Sequence, residues 1–214
     1  MPINAERTKQ YLKKGDLQTL FREELGWDRC RTVIPVSIES ANYELQGVAE
    51  KRGFAVFQCL ASDGNSLPPY QTRRKIEREL AKYVREHIVV YLDHGRTTQI
   101  WQWVKKEPEK PVACREFHFH QSQDGETLTQ KLELLHVTLE EEEAGITVVD
   151  VAGRVRPAFD VDRVTKRFYD RFKQEHTAFL QFIKGIPIKP DSEWYASIML
   201  NRLMFIYFFQ KKGF

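Results

Sequence analysis

Two segments near the end of the chain decide its organisation: residues 161–186, VDRVTKRFYDRFKQEHTAFLQFIKGI, and residues 192–214, SEWYASIMLNRLMFIYFFQKKGF. Apolar residues in the first segment recur at helical spacing and form one face. They are Val161, Val164, Phe168, Phe172, Phe179, Phe182 and Ile183. Asp160 stands where an N-cap is expected, and Gly185 where a helix commonly ends. The first segment is therefore predicted to be an amphipathic helix.

The second segment is apolar on nearly all sides. Between Trp194 and Phe209 the strongly polar residues are Asn201 and Arg202. Such a helix is normally buried, so we expect more protein to pack against it. This protein would be a downstream domain, a partner subunit, or a second copy of the chain in a homodimer. A membrane span is disfavoured because the segment is short and carries a central arginine.

These two segments carry a resemblance to a known class of protein. TKRFYDRFKQEHTAFLQFIKGI followed by WYASIMLNRLMFIYFFQKKGF resembles the helical region ahead of the methyltransferase domain in type IIG-like restriction–modification proteins. The resemblance is strong over residues 155–214 and looser upstream. It implies an N-terminal portion of a DNA adenine methyltransferase and endonuclease involved in phage defence. S-adenosylmethionine would then bind only in the downstream methyltransferase domain.

Composition sets the broad class of the protein. The chain has 214 residues, of which 42% are hydrophobic and 29% charged, as in ordinary globular proteins. Its N-terminus lacks the apolar core of a signal peptide. Three cysteines at wide spacings indicate neither a disulfide framework nor a zinc site. A reducing, cytoplasmic location is expected.

Charge is unevenly spread along the chain. Residues 151–214 hold 12 Lys and Arg against 6 Asp and Glu, whereas the remainder holds 21 against 24. Basic side chains cluster on two predicted helices, where they would contact DNA phosphates or form a solvated surface. The candidate DNA-binding residues are Arg73, Arg74, Arg78, Arg163, Arg167 and Arg171.

The first 160 residues read as a mixture of helices and strands. Helices are predicted over residues 4–25, 71–87 and 127–135. Strands are predicted at TVIPVSI, YELQGVAEK, GFAVFQCLA, IVVYLD, TQIWQWVKK, REFHFHQ and ITVVDV. Lys51, Arg52 and Gly53 form a predicted hairpin turn. Glu116, His118 and His120 would share one strand face, a weak signal for a metal site because such polar faces commonly meet solvent.

This order of elements resembles the PD-(D/E)xK nuclease core, an α+β fold with a mixed sheet flanked by helices. The resemblance implies a nuclease-like domain over residues 1–155 and a helical connector over residues 156–214. In that family a helix and two strands supply acids that hold Mg²⁺, and a lysine assists the attacking water. Carried onto this chain, Glu23 or Glu24 is the helix acid and Glu44 the strand acid.

The third strand departs from the nuclease pattern. Gln58 stands where an acid is expected, and Leu60 stands where the lysine is expected. The metal ligands would be Glu44 and Gln58, and the lysine function would move to Lys75 or to Lys82. A neutral amide gives Mg²⁺ no charge, and leucine transfers no proton.

The departure at Gln58 and Leu60 favours a DNA-contacting nuclease-like domain with a degenerate catalytic site. An active Mg²⁺-dependent endonuclease domain is one alternative. The other is a purely structural module that binds a protein partner through its apolar helix.

Overall fold

A computed structural model of the protein describes residues 3–39, 41–60, 66–105 and 112–212, without the side chains of residues 161–167 and 212. The chain divides into two compact units, residues 1–160 and residues 161–214. The fold is α+β, with a seven-stranded mixed sheet and flanking helices in the first unit and a helical pair in the second. The boundary predicted after residue 155 falls within a helix of the first unit.

The first unit begins with a helical region that is broken in the middle. Helix α1 (Ala5–Lys14) is capped by the Asn4 side chain, which accepts from the Arg7 N–H, and ends at Gly15 with a φ of 64°. A short α2 (Leu17–Thr19) then runs into a π-helix (Leu20–Glu24). The single helix predicted over residues 4–25 is therefore interrupted. Glycine suits the break because its left-handed φ strains other residues, and a Cβ there would meet the Arg96 side chain at 2.7 Å.

The strands that follow the π-helix form one side of the sheet. They are β1 (Asp28–Arg29), β2 (Val33–Ile38), β3 (Ala41–Lys51) and β4 (Phe54–Leu60). Strands β3 and β4 pair antiparallel, and the two-residue turn between them places Arg52 and Gly53 at positive φ. Positive φ at both residues is typical of hairpin turns that match strand twist. The predicted hairpin is confirmed.

Helix α3 (Tyr70–Leu80) carries the chain across the sheet from β4 to a parallel β5 (Glu86–Leu92). Strands β6 (Thr98–Lys105) and β7 (Ala113–His120) add antiparallel partners. The strand order is β1-β3-β4-β5-β6-β7, with β2 also paired to β3. The sheet is mixed because the parallel β4–β5 pair is joined through a crossover helix.

Three helices complete the first unit: α4 (Glu126–Glu133), α5 (Leu139–Glu143) and α6 (Val148–Phe159). The strand predicted at ITVVDV is wrong, because most of this segment is the first turn of α6. A capping box at Thr147 and Asp150 starts the helix, with reciprocal side-chain to backbone hydrogen bonds of 2.9 and 3.4 Å. Val151 and Val155 are buried one helical turn apart. The capping pair and helical spacing outweigh β-branched composition here.

The sheet separates two apolar clusters. The larger contains Trp101, Phe54 and Val56 together with residues of α1, the π-helix, α4 and α6. The smaller contains Phe57 and Tyr91 together with residues of α3. Side chains alternate across a strand, so the residue after Phe57 points towards the α1 side of the sheet. This alternation fixes the side on which each candidate site residue lies.

The second unit consists of α7 (Val161–Leu180) and α8 (Lys189–Lys212). His176 of α7 links the two helices, since its Nε2 lies 3.0 Å from the Glu193 carbonyl oxygen and 3.1 Å from the Ser197 hydroxyl. Of the helices within the described ranges, none has the combination of length and apolar character that crossing a membrane requires.

Candidate functional site

A row of polar side chains crosses β3 and β4 where the sequence predicts a nuclease-like site. Gln58 Nε2 donates to Gln46 Oε1 at 3.1 Å, and Gln46 Nε2 donates to Glu44 Oε1 at 2.7 Å. Gln58 is 6% exposed, and Glu44 is on the surface. The row therefore carries one charge, at its solvent-facing end.

The row lies on the α1 side of the sheet. Gln58 alternates with Val56 and Phe54 of the larger apolar cluster, and Gln46 is its direct cross-strand partner. The π-helix that carries Glu23 and Glu24 packs on the same side. The structure thus places these predicted helix and strand residues on one side of the sheet.

Glu24 forms an ion pair with Arg7 on that side of the sheet. Its carboxylate lies 2.9 Å from Arg7 Nε and accepts from the Asn4 N–H at 3.4 Å. The Glu24 side chain is buried, whereas Glu23 is exposed. An acid near the end of a helix opposes the helix dipole, and the Arg7 pair offsets that cost for Glu24.

The described residues do not fit a divalent-cation site. Within residues 3–39, 41–60, 66–105 and 112–212, no three His, Cys, Asp or Glu side chains lie close enough together to hold a metal ion. Mg²⁺ in phosphoryl-transfer sites is usually held by carboxylates, and Gln58 contributes a neutral amide already bonded to Gln46. We therefore derive no step through Mg²⁺ from Glu44 and Gln58.

Lys75 lies away from the polar row. It is on α3, which packs on the opposite side of the sheet from Gln58, and it forms an ion pair with Glu39. The hydrogen bond from Lys75 lowers the pKa of Glu39. Lys82, the other candidate for the lysine function, lies in the turn after α3 and pairs with Glu79 at 2.7 Å. The structure does not bring either lysine to the row.

Arg73 is the centre of a buried polar network at the start of α3. Its guanidinium donates two hydrogen bonds to Glu116, at 2.9 and 2.7 Å, and Gln102 Nε2 donates to Glu116 at 2.9 Å. The Tyr91 hydroxyl donates to Gln102 Oε1 at 3.2 Å. Arg73 is 6% exposed, so its guanidinium is turned inward and is not on the surface that the sequence assigned to DNA.

Ionisation in this network follows from burial and pairing. Burial opposes the charge on Glu116, but the hydrogen bonds from Arg73 and Gln102 outweigh it and hold the pKa of Glu116 below its ordinary value. Burial raises the pKa of Tyr91 well above its usual range. The network is thus a buried ion pair between Arg73 and Glu116, extended by hydrogen bonds to the neutral side chains of Gln102 and Tyr91.

The remaining predicted DNA-binding residues have different surroundings. Arg74 is partly buried, and Arg78 is exposed on α3. Arg171 is exposed on α7, where it pairs with Glu175 at 2.9 Å. The side chains of Arg163 and Arg167 lie outside the described residues. Arg78 and Arg171 are therefore the predicted DNA contacts that the structure presents to solvent.

Of the two histidines of β7, His118 approaches Glu116 and His120 does not. His118 Nε2 lies 3.6 Å from Glu116 Oε2, whereas His120 Nδ1 lies 2.8 Å from the Ser122 hydroxyl. Sequence reasoning also missed Gln46, which joins Gln58 to Glu44. The available signal was its spacing of two from Glu44 on one strand, which places both side chains on one face.

Comparison of this chain with family models, curated proteins and solved structures finds no match.

Proposed function

We propose that residues 1–160 are a nuclease-like, DNA-contacting module with a degenerate catalytic site, in the N-terminal portion of a type IIG-like restriction–modification protein. The observation that carries the proposal is the order and pairing of the elements around β4. A helical region precedes the antiparallel strands β2, β3 and β4, and α3 then crosses to the parallel β5. This arrangement is similar to the PD-(D/E)xK nuclease core.

The residue content of the β3–β4 hairpin supports the degenerate form of this function. Gln58 and Gln46 are neutral, and the nearest charge in their row is Glu44. An amide cannot take a proton from water near neutral pH, and a single carboxylate compensates little of the charge on a divalent cation. The hairpin is therefore suited to keeping the fold rather than to cleaving phosphodiesters.

The exposed cations support the DNA-contacting part of the proposal. Arg78 projects from α3 and Arg171 from α7, both into solvent. Such side chains bind phosphates without reading sequence, so they would add affinity that falls with salt. A cytoplasmic location is part of the same proposal.

The second unit has the character of a connector. Helix α8 exposes Trp194, Phe205 and Phe208 to solvent. Apolar side chains of this kind are normally covered by another protein surface. In the proposed protein the cover is a downstream methyltransferase domain, which would bind S-adenosylmethionine.

DNA binding by the 214-residue chain tests the contact. Fluorescence anisotropy with a labelled duplex, read from about 50 to 200 mM salt, should show affinity falling with salt. Arg78→Glu and Arg171→Glu should each weaken binding several-fold, whereas Lys13→Glu, an exposed reversal of the same size on α1, should not. Binding that is insensitive to salt, or equally weak in all three variants, would contradict the proposal.

A cleavage assay separates the degenerate module from an active endonuclease. Supercoiled plasmid with Mg²⁺ should stay intact with the wild-type chain and with Glu44→Ala. Gln58→Glu restores the acid that the nuclease pattern requires, so this variant shows whether the missing acid is what prevents cleavage. Cleavage by the wild type that Glu44→Ala abolishes would establish the active alternative.

The rival function is a structural module that binds a protein partner. The exposed aromatic residues of α8 favour it, because protein interfaces are enriched in aromatic side chains. The two functions differ in DNA affinity. A chain with no measurable affinity for DNA at low salt would leave the structural module as the better description.

A further inference from the structure

The two outer edges of the sheet differ in how they are protected. One edge consists of two separate strands that both pair with β3. They are β1, which has two residues, and β2, where Pro35 supplies no backbone N–H. The other edge is β7, eight residues in continuous register with β6 and without Pro, Gly or Lys. Proteins usually interrupt or cover an exposed edge strand because it can pair with another chain.

The hydrogen-bonding groups of β7 that point outward can be identified. The Gln121 N–H donates to the Thr97 carbonyl oxygen at 2.8 Å, which fixes the phase of the antiparallel ladder. By alternation, the backbone groups of Cys114, Glu116 and His118 point away from β6. The His120 N–H confirms this phase, since it donates outward to Gln123 Oε1 at 2.9 Å.

Among the described residues, hydrogen bonds within the chain use the outward groups of β7 at its His120 end. At His120, both backbone groups are used by Gln123, whose N–H donates to the His120 carbonyl oxygen at 2.9 Å. In the described part of the chain, no group bonds to the outward backbone of Cys114, Glu116 or His118. Backbone donors and acceptors along a continuous strand form a template for one further strand.

We propose that a second copy of this chain pairs antiparallel with β7 and extends the sheet across a two-fold axis. The axis passes beside Phe117, so that Phe117 faces its symmetry mate. Glu116 then lies opposite His118 of the second copy, and His118 lies opposite the second Glu116. Because the backbone N–H and C=O groups of Glu116 and His118 point outward, each of these two pairs forms two backbone hydrogen bonds, four in total.

Side-chain chemistry selects this register and favours a second copy as the occupant. On one face each exposed His118 imidazole meets Glu116 of the second copy, a carboxylate that its own Arg73 and Gln102 already hold, whereas a shift of the axis to Glu116 would oppose two such carboxylates. On the other face Phe117 meets Phe117, and cross-strand aromatic pairs are favourable. The strand is thus complementary to itself in one register, as a two-fold interface requires.

The interface is small, so sedimentation velocity over about 10 to 500 µM is the suitable measurement, and small interfaces of this kind are transient. The wild-type chain should show a reversible monomer–dimer equilibrium. His118→Pro removes one outward donor per copy and leaves the β6 ladder intact, so the dimer should weaken about thirtyfold. His118→Ala keeps the backbone N–H and should weaken the dimer only a few-fold.

Cross-linking tests the register. Phe117→Cys places two thiols at a non-hydrogen-bonded antiparallel pair, where Cα separation suits a disulfide. Mild oxidation should give a covalent dimer with this variant. Tyr83→Cys is the matched control, because it places an exposed thiol elsewhere on the first unit and should give no covalent dimer.

Hydrogen exchange on the wild-type chain gives a readout that needs no variant to fold. Exchange of the Glu116 and His118 amides should slow as concentration rises, whereas the Gln121 amide, already bonded to Thr97, should not change. A monomer at every concentration would overturn the proposal. A dimer that is equally stable in His118→Pro would also overturn the proposal, because it would indicate an interface through α8. An edge strand that pairs only with an added peptide of another sequence would overturn it as well.

Discussion

The two units place the same residue types in opposite environments. In residues 1–160, Trp101 is 0% exposed and stacks with Phe21 and with Phe159, whose ring centroids are 6.1 and 6.5 Å away. In residues 161–214, Trp194 is 68% exposed and Phe205 is 63% exposed. The difference shows that apolar content alone does not make a core. Burial also needs enough elements to surround the apolar side chains.

Geometry explains the contrast. Each face of the sheet in the first unit is covered by helices, so alternating strands and one-sided helices bury their apolar positions. Two helices can cover only one stripe of each other. In α8 the consecutive residues Phe205, Ile206, Tyr207, Phe208 and Phe209 are all exposed, and five consecutive residues point in every direction around a helix.

The largest expected effect is in the covered unit. Trp101→Ala should lower the free energy of unfolding by about 3–5 kcal/mol, because it removes a buried ring and leaves a cavity. Urea unfolding followed by far-UV circular dichroism measures it. A loss below about 1 kcal/mol would show that the sheet core is less tightly packed than the structure indicates.

The buried ion pair gives the next effect. Glu116→Gln removes the charge that compensates the guanidinium of Arg73, so unfolding should become easier by about 3 kcal/mol. Arg171→Gln is the matched control, because its pair with Glu175 is exposed and should contribute little. Equal losses in the two variants would contradict the contrast between a buried and a solvated pair.

Acid should weaken the first unit through the same carboxylate. The pKa of Glu116 is lowered in the fold, so the folded state resists protonation more than the unfolded chain does. Its stabilising contribution is present above about pH 4.3, the ordinary pKa of glutamate, and is lost as the pH falls through the lower folded value. Urea midpoints should drop across that window, and Glu116→Gln should flatten the drop.

Asp160 adds to the acid sensitivity. Burial opposes its ionisation, but Lys105 at 2.8 Å and Arg115 at 3.4 Å outweigh burial and lower the pKa of Asp160. Its contribution has the same sign as that of Glu116. Midpoints that rise on acidification would contradict both assignments.

The smallest expected effect on stability lies on α8. Phe205→Ala should change the free energy of unfolding by less than about 0.5 kcal/mol, since its ring is mostly in water. The same change should lower the binding of a hydrophobic dye, which reports exposed apolar surface. A destabilisation comparable to that of Trp101→Ala would show that the ring is covered in solution.

Local patterns predicted much of the fold. Strand-forming composition found β2, β3 and β4 within two residues of their ends, and the turn at Arg52 and Gly53 followed from its residues. Pattern failed at residues 146–151, where β-branched composition hid a capping box at Thr147. It also extended α3 to His87, which the structure places in β5 as a buried residue.

The candidate site was less predictable than the fold. The sequence named Gln58 and Glu44, and the structure joins them through Gln46 in one hydrogen-bonded row. It also grouped Arg73 with the surface cations, because neighbouring basic residues look alike in a sequence. Burial of Arg73 depends on Glu116, which lies 43 positions away.

The sequence by itself determined the positions of β2, β3 and β4, the neutral Gln58 in place of an acid on β4, and the all-round apolar character of α8. These are properties of residue type and spacing, which short-range sterics and hydrophobicity translate directly into local structure. Tertiary structure alone decided that Arg73 turns inward, that Lys75 lies across the sheet from Gln58, and that β7 is an edge. Those outcomes depend on which distant strand pairs with which, and on the burial that the pairing creates.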